Sequence, residues 1–173
     1  MVDNKDDFRA FSTIGRQLVD IHLHYERIEP YPEVKVHKNK VLSPFNAHPG
    51  SFDPVFDLHK VHKMQFRKDK NLKTDDNKRG LDKTTIIYNG NITIENIPLK
   101  AYDYVVNGKS AIEWVMDRYQ VKTDKKSGIT NNPNDWSKET ENPKYILDLL
   151  LSVIHLSVKT LDLVKELPKI KFE

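Results

Sequence analysis

The stretch from Asn142 to Val164 constrains the fold more than any other. Leu147, Leu150, Leu151, Ile154, Val158, Leu161 and Val164 recur at three- and four-residue spacing, and Ile146, Leu149, Val153 and Leu156 widen the stripe. A helix apolar over most of its circumference is a central core helix, because no surface position hides so many faces from water. Asn142 is placed to cap it, with Pro143 at the first helical position and Pro168 ending it. At about 1.5 Å per residue it should run roughly 35 Å. The longest run there without Asp, Glu, Lys or Arg is Leu149 to Val158. That is far short of the roughly 20 apolar residues a membrane span needs, so no membrane partner is expected.

The rest of the chain supplies something for this helix to pack against. Phe8, Phe11, Ile14, Leu18, Ile21 and Tyr25 predict a helix over Asp6–Tyr25, capped by Asn4, with Asp6 and Asp7 at its positive end. Gly15 in its middle suggests a close packing contact. From Glu33 to Asn96 the helical period disappears. Val34 to Val36, Val61 to Phe66, Thr84 to Tyr88 and Ile92 to Ile94 read as strands, and Asn89-Gly90 marks a hairpin. Asn39 to Leu58 reads as irregular, broken by Pro44, Pro49, Gly50 and Pro54. Ser110 and Glu113 fit a capping box for a short helix bearing Ile112, Val115, Met116 and Tyr119. The expectation is one α+β domain over residues 1–173. Long helices at each end bracket a small, mainly antiparallel sheet, with a further short helix.

Charge is uneven along the chain. The 173 residues carry a formal charge of only +3, too little to imply a polyanion partner. Yet residues 60–83 hold nine basic side chains against four acidic ones, a local +5, while the remainder sums to −2. A concentrated positive patch attracts phosphates in a way that net charge hides. Arg67 to Lys83 has only Leu72 and Leu81 to bury and reads as a mobile basic loop. The polar stretch after Gln120 adds Lys122, Lys125, Lys126, Asn131, Asn132 and Asn134. On composition alone residues 60–83 read equally well as a solvated hairpin tip, and the stretch after Gln120 reads first as an ordinary surface loop.

Catalytic signatures are missing. Gly108-Lys109-Ser110 looks like the end of a phosphate-binding loop, but Asp103 stands where the motif needs its first glycine. Asn107-Gly108 as a turn and Ser110 as a cap explain it better. Glu33-Val34-Lys35 matches half of a metal-dependent nuclease centre. The upstream Asp20 lies on a predicted helix, so a charged edge strand is the better reading. His59 and His62 fall in a predicted strand and point to opposite faces; His22 and His24 diverge on a helix; His37 and His48 stand apart. No cysteine is present, which excludes disulfides, thiolate metal sites and a Cys nucleophile, and fits a cytoplasmic location. The opening MVDNKDDFRAF is too polar for a signal peptide. The chain reads as a recognition module without cofactor or metal.

The segment YVVNGKSAIEWVMDRYQVKTDKKSGITNNPNDW, with PKYILDLLLSVIHLSVKTLDLVKELPKI downstream, resembles the C-terminal specificity domain of type ISP restriction–modification enzymes and related helicase-like bacterial proteins. DDFRAFSTIGRQLVDIHLHYE and TTIIYNGNITIENIPLKAYDYVVNGKS extend the resemblance over about residues 6 to 170. It implies a target-recognition domain from a larger polypeptide with nuclease, helicase-like and adenine methyltransferase parts. S-adenosylmethionine, ATP and Mg²⁺ would belong to that parent, and methyltransferase and helicase domains would adjoin this one. The Asn-Pro-Pro-Tyr/Phe signature of adenine methylation is absent, since Asn132-Pro133 and Asn142-Pro143 continue differently.

The resemblance turns the basic segments into a candidate double-stranded DNA surface. Lys60, Lys63, Lys68, Lys70, Lys73, Lys122, Lys125 and Lys126 are the expected phosphate-binding residues. Arg67, Gln120, Asn131, Asn132 and Asn134 are the candidate base readers, since Arg pairs with guanine and Asn or Gln with adenine. Trp114 and Tyr119 read as core, and Trp136, in the polar loop, is open to either role. The rival expectation is a scaffolding domain that docks other domains through the C-terminal helix. A further alternative is a nuclease remnant on Glu33 and Lys35. The DNA reading requires both cationic segments to meet once folded.

Overall fold

The computed structural model of the chain describes residues 5–38 and 54–169. In chain order the elements are α1 (Lys5–Leu23), β1 (Lys35–Lys38), α2 (Pro54–His59), β2 (Gln65–Lys68), β3 (Leu81–Ile87), β4 (Ile92–Glu95), β5 (Val105–Val106), β6 (Lys109–Ser110), α3 (Ala111–Arg118), β7 (Lys122–Thr123), β8 (Thr130–Asn131), α4 (Asn134–Glu139) and α5 (Tyr145–Lys165). Short 3-10 turns lie at Tyr25–Arg27, Lys70–Leu72 and Leu99–Asp103. The architecture is α+β.

α5 is the axis of the core. Ile146, Leu150, Ile154 and Val158 are buried against Ile86, Tyr88, Ile92 and Ile94 of the sheet region and Ile112, Val115 and Met116 of α3. Its other side meets α1, where Ile14 and Ile21 pack on Leu156 and Leu163. Apolar residues on most sides therefore have separate partners, and the polar residues are confined to a narrow line through Asp148, His155, Lys159 and Asp162. The helix begins at Tyr145, three residues after Asn142. The Asn142 side chain accepts from Lys144 N (3.0 Å) and its carbonyl from Tyr145 N (3.2 Å), so Asn142 organises the turn into the helix instead of capping it.

The four-stranded sheet is antiparallel, in the order β1-β4-β3-β2. β1 is an edge strand, with Lys35 opposite Glu95, so Glu33-Val34-Lys35 leads into a charged edge as expected. The Asn89-Gly90 hairpin forms: Asn89 Oδ1 accepts from Asn91 N and Ile92 N, both at 2.8 Å. The Asn107-Gly108 turn joins β5 to β6, both residues having positive φ (49° and 79°). The capping box of α3 is complete: Ser110 Oγ accepts from Glu113 N, and the Glu113 carboxylate accepts from Ser110 N and Oγ.

Other expectations are corrected. α1 ends at Leu23, and Tyr25 opens a 3-10 turn that itself packs on α5, with Ile28 beside Leu156 and Leu163. Gly15 marks no close contact, since a Cβ there would meet nothing within 4 Å. Pro54 to Leu58 is helical, not irregular, and His59 is the last residue of that helix, not a strand residue. Only the end of the Val61–Phe66 run becomes strand. Val61 and Met64, three apart, are both buried, which a two-residue period does not allow. The Arg67–Lys83 segment is a bonded hairpin instead of a mobile loop. Arg67 and Lys68 pair with Asp82 and Leu81, and Asp69 N donates to Gly80 O (2.8 Å). Asn77 ties its interior, donating to Leu72 O (3.1 Å) and Leu81 O (3.0 Å) and accepting from Leu81 N (2.9 Å). Asn4, Pro44, His48, Pro49 and Gly50 lie outside the described residues.

Candidate nucleic-acid interface

The end of α2, Leu58 and His59, runs into Lys60 to His62 without forming a strand, yet the carbonyl of each of these residues is held. Asn89 Nδ2 donates to Leu58 O and Lys60 O, both at 2.9 Å. Tyr88 OH donates to His59 O (3.0 Å). The Asn134 carboxamide grips Val61 from both ends: Oδ1 accepts from Val61 N and Nδ2 donates to Val61 O, each at 2.8 Å. Val121 N donates to His62 O (2.9 Å). Side chains from the β3–β4 turn and from α4 thus replace a neighbouring strand and pair these backbone groups. Sequence periodicity did not reveal Asn89 as a joint. Its Asn-Gly turn signal accounted only for the hairpin.

This rail carries Lys60 and, one residue beyond it, Lys63. Across the Val121 and Asn134 bonds lies the β7–β8 hairpin, where Lys122 pairs with Asn131 and Thr123 with Thr130. Its tip is fixed by Asp124, whose Oδ1 accepts from Lys126 N (3.0 Å), Ser127 N (2.8 Å) and Ser127 Oγ (2.9 Å). Those bonds from Ser127 and Lys126 hold the Asp124 carboxyl below its ordinary range. The arrangement presents Lys125 and Lys126 to solvent from a rigid turn. The two cationic segments therefore meet at Val61–His62, on the Lys60–Lys63 end of the first. β2 carries the chain away from this junction, so Lys68 at its end and Lys70 and Lys73 in the β2–β3 turn sit beyond it.

The side chains differ in how free they are. Lys63, Lys68, Lys70, Lys73, Lys125 and Lys126 are exposed, and none forms an ion pair among the described residues. Lys60 pairs with Asp57. Lys122 Nζ lies 3.5 Å from Asp117 O at the end of α3. Among the candidate readers, Asn131 is exposed on β8. Asn132 is half-buried, donating to Asp135 Oδ1 (3.1 Å) and accepting from Asn134 Nδ2 (2.8 Å). Gln120 is 9% exposed and donates to Asp117 O (2.9 Å). Asn134 is 7% exposed, with both ends of its amide on Val61. Arg67 donates to Asp82 Oδ2 through Nη2 (2.7 Å) and Nε (3.1 Å), and to Glu95 Oε1 (3.4 Å). Gln120 and Asn134 are thus engaged inside the protein, Arg67 is exposed but tied to Asp82 and Glu95, and Asn131 is exposed.

The aromatic residues divide similarly. Tyr119 packs against the main core, and Trp114 is half-buried, donating from Nε1 to Val106 O (2.7 Å). Trp136 lies on α4, not in a loop; it is exposed, with its ring edge-on to Tyr145.

No cluster of three His, Asp or Glu side chains suited to a metal ion occurs among the described residues. His22 bonds Tyr104 OH (2.9 Å), His24 contacts Asp20, and His37 contacts Glu95 (3.2 Å). His59 is buried beside a small cavity lined by Phe56, Lys60, Asn134, Ser137 and Pro143. Its Nδ1 bonds Val55 O (2.8 Å), its Nε2 has no partner, and burial lowers its pKa. None of the described helices is long and apolar enough to cross a membrane.

Comparison with known proteins places this arrangement in context. The family model described as the Type ISP C-terminal specificity domain matches residues 1–149. A nuclease-deletion mutant of the Type ISP restriction–modification enzyme LlaGI, solved with a DNA substrate mimic, is 44% identical (TM-score 0.72), the match covering 95% of this chain and 13% of that one. The ATP-dependent Type ISP enzyme LlaBIII, solved bound to DNA, is 42% identical (TM-score 0.74), with coverage of 95% and 9%. The DrdV–DNA complex is 25% identical (TM-score 0.63), with coverage of 95% and 15%. The search of curated proteins returns no significant match. This chain thus corresponds to a small fraction of the length of these enzymes. Both the family match and the shared fold extend over most of it, and the chain belongs to the Type ISP C-terminal specificity domain family.

Proposed function

We propose that this chain is the target-recognition module of a restriction–modification polypeptide and binds double-stranded DNA sequence-specifically. The observation that carries the reading is the junction at Val61–His62, which sets Lys60 and Lys63 beside the Lys122–Asn131 hairpin. The relatives solved with DNA support it. Lys63, Lys125 and Lys126 hold phosphates at the junction, with Lys60 and Lys122 beside them. Lys68, Lys70 and Lys73 extend the contact along the duplex. Each phosphate neutralised releases counterions, so affinity falls steeply with salt. Base discrimination falls to Asn131, and to Asn132 when Asp135 releases it, through paired contacts to adenine. Arg67, Gln120 and Asn134 act as supports for that surface.

The domain performs no chemistry of its own. Methylation, cleavage and translocation, with S-adenosylmethionine, ATP and Mg²⁺, belong to other parts of the parent enzyme, which acts in the cytoplasm. The scaffolding alternative has little apolar surface of α5 to use, because most of that helix's apolar residues are buried within this domain. Contact with adjoining methyltransferase or helicase domains is better served by α1, whose outer line exposes Phe8 (65%), Val19 (59%) and Leu23 (71%).

The test is selection from a duplex library with a randomised centre, followed by sequencing of bound DNA. Enrichment of one motif, with affinity falling as salt rises, is the expected result. Salt-independent binding, or no enrichment, would overturn the reading.

A further inference from the structure

Asn134 is buried, yet among the described residues its side chain joins the two cationic segments. Its carboxamide makes a two-point bond to Val61, 73 residues away in sequence, and a third bond to Asn132. A carboxamide presents a donor and an acceptor side by side, which is the pattern of a neighbouring β-strand residue. Asn134 therefore does for the rail what a paired strand would do, with one side chain. Leu58 to Lys60 are held from the opposite side by Asn89 and Tyr88 of the sheet region. The rail thus has two attachments: one to the sheet, and one to the β7–β8 hairpin and α4.

We infer that Asn134 is a positioning residue for DNA recognition: it sets the register between the Lys60–Lys63 rail and the β7–β8 hairpin. This rests on the proposed DNA-binding role. The physical argument is that phosphate contacts fix where a protein sits on the duplex, and base contacts read only within that frame. Lys63 lies on one side of the joint and Lys125, Lys126 and Asn131 on the other. Loosening the joint removes no lysine, so salt-dependent affinity changes little. It also lets the hairpin wander relative to the rail, so Asn131 no longer meets one base at one distance. The remaining Val121–His62 bond is a single backbone contact and allows rotation that the two-point Asn134 bond does not.

The absence of cysteine makes a direct test simple. Spin labels are attached at Lys63→Cys and Lys125→Cys in the whole chain, and the distance distribution is measured by pulsed electron resonance with Asn134 intact, with Asn134→Ala and with Asn134→Asp. Asn134→Asp retains an acceptor for Val61 N but sets a carboxylate against Val61 O. The intact chain should give a narrow distribution and both variants a broadened one, with retained far-ultraviolet circular dichroism. In the randomised-duplex selection the unlabelled variants should lose preference for the enriched motif about tenfold, comparable to one mismatched base pair. Their salt dependence should match that of the parent. A role confined to stability would lower the melting temperature but leave the motif preference of the folded fraction unchanged, and that result would overturn the inference. So would an unbroadened distribution, or failure of both variants to fold, which would make Asn134 a core residue. Broadened distributions in a protein that enriches no motif would sink the DNA reading while leaving the joint itself established.

Discussion

Arg67 donates two hydrogen bonds to one oxygen of Asp82, a carboxylate whose residue is almost fully buried. Burial alone would raise the Asp82 pKa, but bonds from Thr84 and Arg67 outweigh it and hold the group below its ordinary range. Asp82 also turns the β3 backbone where its pairing with β2 shifts register between Phe66 and Arg67. Arg67→Ala should therefore cost about 1–2 kcal/mol at pH 7, the order of a charged hydrogen bond. Because the folded pKa is depressed, this stabilisation is present above the unfolded value of about 4 and is lost as pH falls through the folded value. Urea titrations at pH 7 and pH 2.5 should show the difference between parent and variant shrinking at acid pH. Unchanged stability together with lost motif preference would return Arg67 to the role of base reader.

His59 gives a second pH dependence with a different window. Burial depresses its pKa below the unfolded value of about 6.5, against the opposing bond to Val55 O. Over the interval between those values the unfolded chain binds a proton that the folded chain does not, so stability falls as pH drops below about 6.5. The surrounding charges are Lys38, Lys144 and Asp148, and the Asp148 carboxyl is itself raised by burial. Thermal unfolding followed from pH 8 to pH 5 should show this loss, and His59→Gln should flatten it. A parent curve that is level across that range would contradict the assignment.

The Ser110–Glu113 capping box is the local signal that begins α3, and Glu113 additionally pairs with Lys83 (3.3 Å) on β3. Ser110→Ala should destabilise the protein by about 1 kcal/mol. Ser110→Asp, which keeps an acceptor for Glu113 N, should recover part of that loss only if the like charge on Glu113 is tolerated. Guanidinium unfolding of Ser110→Ala and of Ser110→Asp with Glu113→Gln measures both, and full stability in Ser110→Ala would show the cap to be unimportant.

Gly80 closes the β2–β3 hairpin with φ +60°, and a Cβ there would lie 2.3 Å from Asp69 O. The backbone conformation disfavours any other residue, and the contact is with main chain that cannot swing aside. Gly80→Ala should cost about 2 kcal/mol or more and raise protease sensitivity within 69–80. A variant as stable as the parent would mean that the hairpin rearranges without penalty.

Lys125 and Lys126 against Asn131 separate holding from reading. Lys125→Ala or Lys126→Ala should weaken binding to all duplexes alike and reduce the salt slope by about one per lost phosphate contact. Asn131→Ala should leave binding to mixed-sequence DNA intact and lose about 1–3 kcal/mol of preference for the enriched motif. Anisotropy titrations at several salt concentrations check both, and identical behaviour in the three variants would abolish the division.

Sequence alone determined the parts whose cause is local. The apolar circumference of α5 made it the core axis, Ser110 and Glu113 set the start of α3, and Asn89-Gly90 made the β3–β4 hairpin. Each depends on residues within a turn or two of one another. The clustering of lysines was equally visible. What only the tertiary structure decided is which side chains remain at the surface to use that charge. Val61–Phe66 alternates like a strand, but Asn89 and Asn134, 29 and 73 residues from their bonded partners Lys60 and Val61, hold its neighbourhood as a rail. Asn131 and Asn134 look alike in sequence and differ completely in place. One lies on an exposed hairpin and the other is buried at the start of α4, because a carboxamide that can satisfy a buried backbone is held where that backbone would otherwise go unpaired.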